Sequence, residues 1–364
     1  MRDLVLANAP ASVAIGGLII GFILGVVVFR SNFCTMGSVS DMVTFGDYRR
    51  FRSWVLAGAV AAIGAYLLQQ AGIVELDKSM YLSPTLDWLG NVVGGLLFGF
   101  GMVFAGGCAS RNLVRLGSGD LRSLFVLIVM GIVAYMTIGG IFGPLRADLS
   151  QRTALSLAAW GIGNQSIGLI LAKLTGLSAA FASKFSIAVI VLGMLYYCFK
   201  DESFRSSSNH VFAGVVIGLC CAAGWAITGM AYDELAAQAV APVSLTFVRP
   251  SGDTLEWLER YTAAKVPNFG VASVLGVLIG AFVASWSAGR FAVTTFADPG
   301  DTLRNMFGAL LMGVGGVMAL GCTVGQGITG ISTLALGSFL TFASIVAGGI
   351  YGIKKMEQLL MADV

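Results

Sequence analysis

Three cysteines stand where an apolar stretch of the chain gives way to a polar one. Cys34, Cys108 and Cys322 are each followed at once by a segment rich in Gly, Ser, Thr, Asn or Gln. A neutral thiol is a weak hydrogen-bond donor with a soft sulfur atom, so it suits a ligand that presents a terminal sulfur. Weak binding sites in series allow an ion to enter a path and also to leave it. These three thiols are therefore candidate residues of a path for a soft anion.

Two of the thiols end the two copies of an internal repeat. Residues 94–108 read GGLLFGFGMVFAGGC and residues 308–322 read GALLMGVGGVMALGC, with nine identical positions and no gap. In both copies the cysteine follows one glycine by seven residues, and steps of seven return to nearly the same helix face. Each copy therefore predicts a helix with a stripe of glycines, which carry no side chain, along one face and a thiol at the end of the helix. The glycines of this stripe are further candidates for the path: Gly101, Gly107, Gly315 and Gly321.

The six cysteines of the chain do not all carry the same weight. A lone cysteine in a membrane segment is ordinarily a small buried hydrophobic residue. The duplication favours a functional role for Cys108 and Cys322. Cys34 is followed directly by a polar segment, as they are. Cys198, beside two tyrosines at the end of an apolar stretch, is expected to be structural. The roles of Cys220 and Cys221 stay open.

The composition defines the class of protein. Hydrophobic residues make up 57% of the chain and charged residues only 11%, whereas soluble proteins carry about a quarter charged residues. The 49 glycines suit closely packed membrane helices, because lipid supplies no hydrophobic drive between helices. We expect one membrane domain over residues 1–364. No nucleotide-binding loop and no Cys/His zinc pattern is evident, so neither an enzyme nor a cofactor or metal site is expected.

Long apolar stretches predict the membrane spans. The predicted fold is all-α, with about nine transmembrane helices and short re-entrant helices, in two halves. The nine stretches lie near residues 12–29, 53–71, 88–107, 122–142, 185–199, 211–231, 271–289, 303–321 and 334–353. A further stretch, 154–172, carries Gly, Asn and Gln at its centre and is expected to be broken or re-entrant rather than a span.

The distribution of basic residues predicts the orientation. Connections expected on one side carry Arg30, Arg49, Arg50 and Arg52, then Arg111, Arg115 and Arg122, then Lys200 and Arg205, then Arg290 and Arg304, and finally Lys354 and Lys355. The connections on the other side, including the long 232–270 segment, are poorer in base. Nine spans with the N-terminus outside and the C-terminus in the cytoplasm fit this pattern.

The repeat extends weakly beyond the Gly-Cys blocks. GGLIIG at 16–21 resembles AGVVIG at 213–218, and each precedes its block in the same order. We expect repeat halves at about 12–142 and 211–353, joined by residues 143–210. An odd number of spans in each half would make the halves inverted, a common plan of transporters with a site near the membrane midplane.

The segments that follow the thiols are unusual for a membrane. Non-helical backbone at membrane depth survives only where it is buried in protein or lines a cavity. We expect glycine-rich turns there, whose exposed backbone N–H groups can hold an anion as a helix N-terminus does. The alternative is that these segments are ordinary polar turns at the membrane surface.

Several stretches together resemble the YeeE/YedE-type inner-membrane permeases. They are RSNFCTMGSVSDM at 30–42, the two Gly-Cys blocks, and GVVIGLCCAAGWAITG at 214–229. The resemblance covers nearly the whole chain. It implies an all-helical bundle pinched from both sides, with cysteines along the path, and uptake of thiosulfate or related sulfur compounds. By this resemblance Cys34, Cys108 and Cys322 match the family's path cysteines. A further cysteine of some members has no counterpart in the 271–289 span.

The sequence therefore predicts a permease for thiosulfate or a related small inorganic sulfur anion, in the inner membrane of a bacterium. The expected partners are the anion, the lipid bilayer and a cytoplasmic sulfur-carrier protein, with no nucleic acid. Arg30, Arg111 and Arg115 could attract the anion at the cytoplasmic mouth, or they could simply follow the positive-inside rule. Two alternatives stay open: a membrane sulfur-relay protein that forms a cysteine persulfide, and a channel for a small neutral solute.

Overall fold

The computed structural model describes residues 2–235 and 240–362, and nearly all regular structure in them is helical. The helices are α1 (Arg2–Ala7), α2 (Ala9–Ser31), α3 (Thr35–Ser40), α4 (Arg49–Gln70), α5 (Trp88–Phe104), α6 (Ala109–Gly117), α7 (Leu121–Ile138), α8 (Gly143–Thr153), α9 (Ile167–Thr175), α10 (Ala179–Phe199), α11 (Glu202–Arg205), α12 (Ser208–Met230), α13 (Val248–Glu259), α14 (Phe269–Ser287), α15 (Pro299–Met318) and α16 (Leu336–Ala362). Two short strands, β1 (Thr85–Leu86) and β2 (Leu155–Ser156), pair antiparallel. Wider, π-helical turns occupy Asp41–Phe45 and Gly325–Gly330.

Eight helical segments among the described residues are long and apolar enough to cross a membrane. They are Ala9–Phe45, Arg49–Gln70, Trp88–Gly117, Leu121–Ile138, Ala179–Phe199, Ser208–Met230, Phe269–Ser287 and Leu336–Leu359. The prediction of an all-helical membrane protein is thus confirmed. The predicted span at 303–321 corresponds to α15, a helix of 20 residues. Asp301, Arg304 and Asn305 in its first turns make α15 too polar to count with the eight.

The stretch 154–172 is broken, as its central polar residues predicted. It begins in β2, continues through a single tight turn at Ala158–Trp160, and ends inside α9. The nine residues of α9 are about 13 Å long, too short for a hydrocarbon core of about 30 Å. The long connection at 232–270 contains α13, which the sequence did not predict, and residues 236–239 of it lie outside the described residues.

The long helices pack in two sets. In the first set α2 packs against α14 and α5 packs against α16; in the second, α12 packs against α4 and α15 packs against α7. At the centre α2 meets α12, and α5 meets α15. The helices α5 and α15 are the two copies of the repeat, so this central contact joins equivalent segments.

Gly101 and Gly315 lie where α5 and α15 cross. A Cβ atom added to Gly101 would stand 2.8 Å from the carbonyl oxygen of Gly308, and one added to Gly315 would stand 2.6 Å from that of Gly94. Backbone therefore meets backbone at both glycines, and the two contacts mirror each other through the repeat. This geometry favours close helix packing over the path role that the shared helix face suggested for Gly101 and Gly315.

Candidate functional site

The two Gly-Cys ends form the same turn. After α5, Gly106 has φ 69° and Gly107 has φ 157°; after α15, Leu320 has φ 55° and Gly321 has φ 158°. Few residues other than glycine adopt either conformation, and Leu320 does so at a cost of order 1–3 kcal/mol. The matched pair Gly107 and Gly321 is therefore required by the turn that places each thiol.

A side-chain amide group donates a hydrogen bond to the backbone of each of these turns. Asn112 Nδ2 donates to the carbonyl oxygen of Gly107 at 2.8 Å, and Gln326 Nε2 donates to that of Ala319 at 2.6 Å. Asn112 and Gln326 each lie four residues after their cysteine. Both repeat copies thus fix their turn with the same type of bond from the same position.

The chain after each thiol is helical, so the expectation of glycine-rich, non-helical turns was wrong. Cys34 precedes α3 directly, Cys108 precedes α6, and Cys322 precedes a helical segment that widens into the π-helical turn. The Sγ atoms of Cys34 and Cys322 accept from the backbone N–H three residues on, at 3.5 and 3.4 Å. Because the thiols of Cys34 and Cys322 cap the first turn and the apolar residues after all three cysteines are buried, the short helices form despite their glycines.

Cys108 lies beside Cys34 and Thr323. It is fully buried, its Sγ is 3.4 Å from Ser110 Oγ, and Cys322 belongs to the same buried core. Cys34 is held beside it by Phe33, whose ring stacks on Trp54 at 4.4 Å. The structure therefore brings together the three cysteines that the sequence selected.

A cavity of about 210 Å³ opens on Cys34. Its lining is rich in arginine, and we call it the arginine cavity: Asn32, Cys34, Met36, Gly37, Arg50, Gly106, Arg111 and Arg115. Arg111 and Arg115, two of the residues that the sequence suggested for an anion mouth, line this cavity. Arg30 does not line the cavity, and Arg50, which the sequence did not single out for this role, takes its place.

The three arginines of this cavity differ in whether a carboxylate pairs with them. Arg50 pairs with Asp41 at 3.2 Å, and Arg115 pairs with Asp120 at 2.6 Å. Burial tends to raise the pKa of Asp120, but its hydrogen bonds and charge contacts with Arg122 and Arg115 hold that pKa below its ordinary value. Within the described residues Arg111 has no carboxylate partner and bonds the amide oxygen of Asn32 at 3.2 Å. Arg111 therefore supplies the uncompensated positive charge of the cavity.

A second cavity, of about 140 Å³, lies at the other end of α5. Glutamine and other uncharged polar side chains dominate it, and we call it the glutamine cavity: Tyr81, Ser83, Thr85, Asp87, Gly90, Asn91, Arg146, Leu149, Ser150, Gln165, Met318, Leu320, Gln326, Gly337 and Ser338. The 17 residues of α5 are about 25 Å long. Leu320 and Gln326, on either side of Cys322 in sequence, line this cavity, whereas Cys34 lines the arginine cavity.

Several buried polar atoms close in sequence to the thiols have no hydrogen-bond partner among the described residues. They are Thr35 Oγ1, Thr323 Oγ1 and Gln326 Oε1. Nearly all buried polar atoms in folded proteins are paired, so each such atom calls for an explanation. A polar ligand that passes between the two cavities would satisfy them.

Of the other cysteines, Cys198 lies apart from the three thiols, whereas Cys220 and Cys221 belong to the same buried core. Cys198 donates to the carbonyl oxygen of Arg52 at 3.2 Å and packs with Leu56 and Phe204 in a small separate cluster, as expected of a structural residue. Cys221 Sγ lies 3.4 Å from Thr329 Oγ1 in a buried polar cluster. Sequence reasoning missed Thr323 and Gln326, although both stand in the polar segment that directly follows Cys322.

The fold, with eight helical segments able to cross a membrane among the described residues, is that of a multi-pass membrane protein. The chain belongs to the sulphur transport family, whose model matches residues 30–351. This confirms the resemblance that the motifs indicated.

Curated relatives are similar over most of the chain. The thiosulfate transporter TsuA of Spirochaeta thermophila is 28% identical over 336 residues, which cover 91% of this chain and 96% of that protein. The thiosulfate transporter TsuA of Escherichia coli is 29% identical over 332 residues, 87% of each chain. The probable transporter YedE of Escherichia coli is 31% identical over 111 residues, which cover 30% of this chain and 25% of that protein.

Proposed function

We propose that this protein takes up thiosulfate, or a closely related small inorganic sulfur anion, along Cys34, Cys108 and Cys322. The observation that carries the proposal is that Cys34 lines the arginine cavity, while Leu320 and Gln326, on either side of Cys322, line the glutamine cavity at the other end of α5. The similarity to two thiosulfate transporters over most of the chain supports the choice of substrate.

The chemistry of the row suits such an anion. Moving a charged group out of water is costly unless fixed donors replace its hydration. Thiols can face the terminal sulfur, and the unpaired hydroxyls of Thr35 and Thr323 can donate to the oxygens. Because each thiol is a weak donor, no single site holds the anion tightly enough to stop it.

We propose that the anion is transported intact, rather than passed on as a cysteine persulfide. A relay needs an activated thiolate and a base that takes its proton. Arg50 and Arg111 line the cavity of Cys34 and supply positive charge but no base. The chain has a single histidine, His210, and its ring bonds Ser207 at 2.6 Å rather than a thiol. A channel for a neutral solute would have no use for the uncompensated charge of Arg111. A cytoplasmic sulfur-carrier protein that receives the substrate stays a proposal.

The two repeat halves are proposed to run in opposite senses, with the arginine cavity facing the cytoplasm of a bacterium. The mirrored contacts of Gly101 with Gly308 and of Gly315 with Gly94 support two related halves. The basic residues at the arginine cavity support the orientation.

Reporter fusions test this orientation. A fusion at the C-terminus is expected to report a cytoplasmic location, because Lys354 and Lys355 follow the last apolar stretch. A fusion after Gln70, at the end of α4, is expected to report the outside. A C-terminus outside the cytoplasm would contradict the proposed orientation.

Arg111 is expected to assist the anion where the path meets the cytoplasm. Replacing Arg111 by glutamine should lower uptake about fivefold, since a unit charge about 4 Å away in a hydrated cavity contributes about 1 kcal/mol. The loss should shrink at high ionic strength because salt screens the lost charge. Initial uptake rates at two salt concentrations measure both effects.

Arg30→Gln is the matched control for Arg111→Gln. Arg30 is exposed and lies outside the arginine cavity, but it carries the same charge on the same predicted side of the membrane. An equal loss of uptake in the two variants would assign both charges to membrane orientation alone.

Growth on sole sulfur sources tests the substrate. A bacterial strain without its own thiosulfate and sulfate importers, supplied with this protein, is expected to grow on thiosulfate and not on sulfate. Growth on sulfate as good as on thiosulfate would overturn the role of the terminal sulfur. No growth on any inorganic sulfur source, with the protein present in the membrane, would overturn the proposed function.

A further inference from the structure

The chain between α12 and α13 brings one hydroxyl group to the third thiol. Thr246 Oγ1 lies 3.9 Å from Cys322 Sγ. Its neighbours Leu245 and Phe247 are fully buried, whereas Thr246 keeps some accessible surface. A Cβ atom added to Gly325 would meet both Thr246 Oγ1, at 2.6 Å, and Tyr81 Oη, at 3.5 Å. Thr246 therefore stands beside Cys322 close to Tyr81, which lines the glutamine cavity.

A buried polar cluster fixes Thr246 in this place. Thr329 Oγ1 donates to the carbonyl oxygen of Leu245 at 2.7 Å, and Ser244 Oγ donates to that of Cys221 at 2.7 Å. The thiol of Cys221 contacts Thr329 Oγ1 in turn. The residues on the N-terminal side of Thr246 are thus anchored, while its own hydroxyl has only the long contact with Cys322 among the described residues.

Thr246 occupies in the second set of helices the place that Cys34 occupies in the first. Cys34 precedes α3, which packs against α4, α5 and α16. Thr246 stands just before α13, which packs against α14, α15 and α7. Each residue lies next to the cysteine of a Gly-Cys turn, Cys108 in one case and Cys322 in the other.

We propose that Thr246 contacts the transported anion and selects for its oxygen atoms; this inference rests on the proposed function. The first pair, Cys34 and Cys108, offers two soft sulfur atoms. The second pair, Thr246 and Cys322, offers one sulfur and one hydroxyl, and a hydroxyl bonds an anionic oxygen strongly. The row is therefore chemically unequal at its two ends. It favours an anion that carries both a terminal sulfur and oxygens over one that carries only one kind of atom.

Three substitutions at this position test the inference. Thr246→Val removes the hydroxyl at nearly constant volume and should lower thiosulfate uptake at least about tenfold, as loss of a hydrogen bond to a charged group does. Thr246→Ser keeps the hydroxyl and should stay within about threefold of the wild type. Thr246→Cys replaces the hydroxyl with a thiol, and it should weaken inhibition by sulfite, which has oxygens and no terminal sulfur, more than it weakens thiosulfate uptake.

Thr137→Val is the matched control, because the hydroxyl of Thr137 is buried and bonds a carbonyl of its own helix at 2.8 Å. It should transport normally. Thr246→Val with normal uptake, in a protein that Cys322→Ala inactivates, would overturn the inference and leave the proposed function standing. Absence of thiosulfate uptake by the wild type would overturn the function itself. If Thr246→Val does not accumulate in the membrane, an unchanged sulfite-to-thiosulfate ratio in Thr246→Cys overturns the inference.

Discussion

Replacing Cys108 by alanine is expected to abolish most thiosulfate uptake while the protein still reaches the membrane. Cys108 lies beside Cys34 and Thr323 and shares a buried core with Cys322. Its loss would break the proposed row of thiols inside this core. A fall of tenfold or more is expected, because one donor to a charged group is lost, at about 1.5–3 kcal/mol. The removed sulfur is small, so the free energy of unfolding should change by only about 1 kcal/mol.

Cys34→Ala and Cys322→Ala should lower uptake in the same direction. Cys198→Ala is the matched control, because Cys198 is equally buried but lies in the separate cluster with Leu56 and Phe204. Initial rates of thiosulfate uptake, corrected for protein in the membrane, compare the four variants. Normal uptake by all three path variants would show that these cysteines only fill space.

Gly101→Ala and Gly315→Ala are expected to destabilise the protein by similar amounts. At both positions the new methyl group would meet the backbone of the facing helix at 3.0 Å or less, closer than a real Cβ atom comes. The helices α5 and α15 must then separate. Overpacking of this kind costs about 1–3 kcal/mol, so a clear fall in the melting temperature of the purified protein is expected for both variants. Uptake should fall in proportion to the folded protein that remains.

Gly193→Ala provides the control for the two glycine variants. Gly193 lies inside α10, and a Cβ atom added there would meet nothing within 4 Å. Alanine is the better helix former, so this change should leave the melting temperature equal or slightly higher. If Gly101→Ala or Gly315→Ala instead kept the melting temperature and lost uptake, the path role that their helix face suggested would be correct and the packing role wrong.

The sequence predicted the long helices from local patterns, and it selected the three thiols from local patterns too. Apolar stretches specify spans by length alone, and the Gly-Cys repeat marks equivalent positions without any knowledge of the fold. Cys34 is singled out by the polar segment that directly follows it, as one follows the other two thiols, and by the family resemblance. The contact between the two repeat copies cannot be predicted in the same way, so the sequence alone suggests a path role for the glycines of the stripe.

The parts that the sequence missed depend on contacts between distant segments. The helix α13 starts in a connection that carries Arg249, Pro250 and Asp253, and its buried residues are held by α7 and α14. Thr246 reaches Cys322 only through this helix and the cluster around Thr329. The helical turns after the thiols were missed because glycine and serine normally favour turns, whereas here the thiol caps the helix and the surrounding core encloses it.

Uptake of thiosulfate labelled separately on its two sulfur atoms tests the central claim most directly. Proteoliposomes that contain the wild-type protein would receive thiosulfate labelled either on the terminal sulfur or on the oxygen-bearing sulfur. If the intact anion passes along the three thiols, both labels should enter at the same rate, and both should be lost together in Cys108→Ala. Entry of the terminal sulfur alone would identify a relay through a cysteine persulfide and contradict transport of the intact anion.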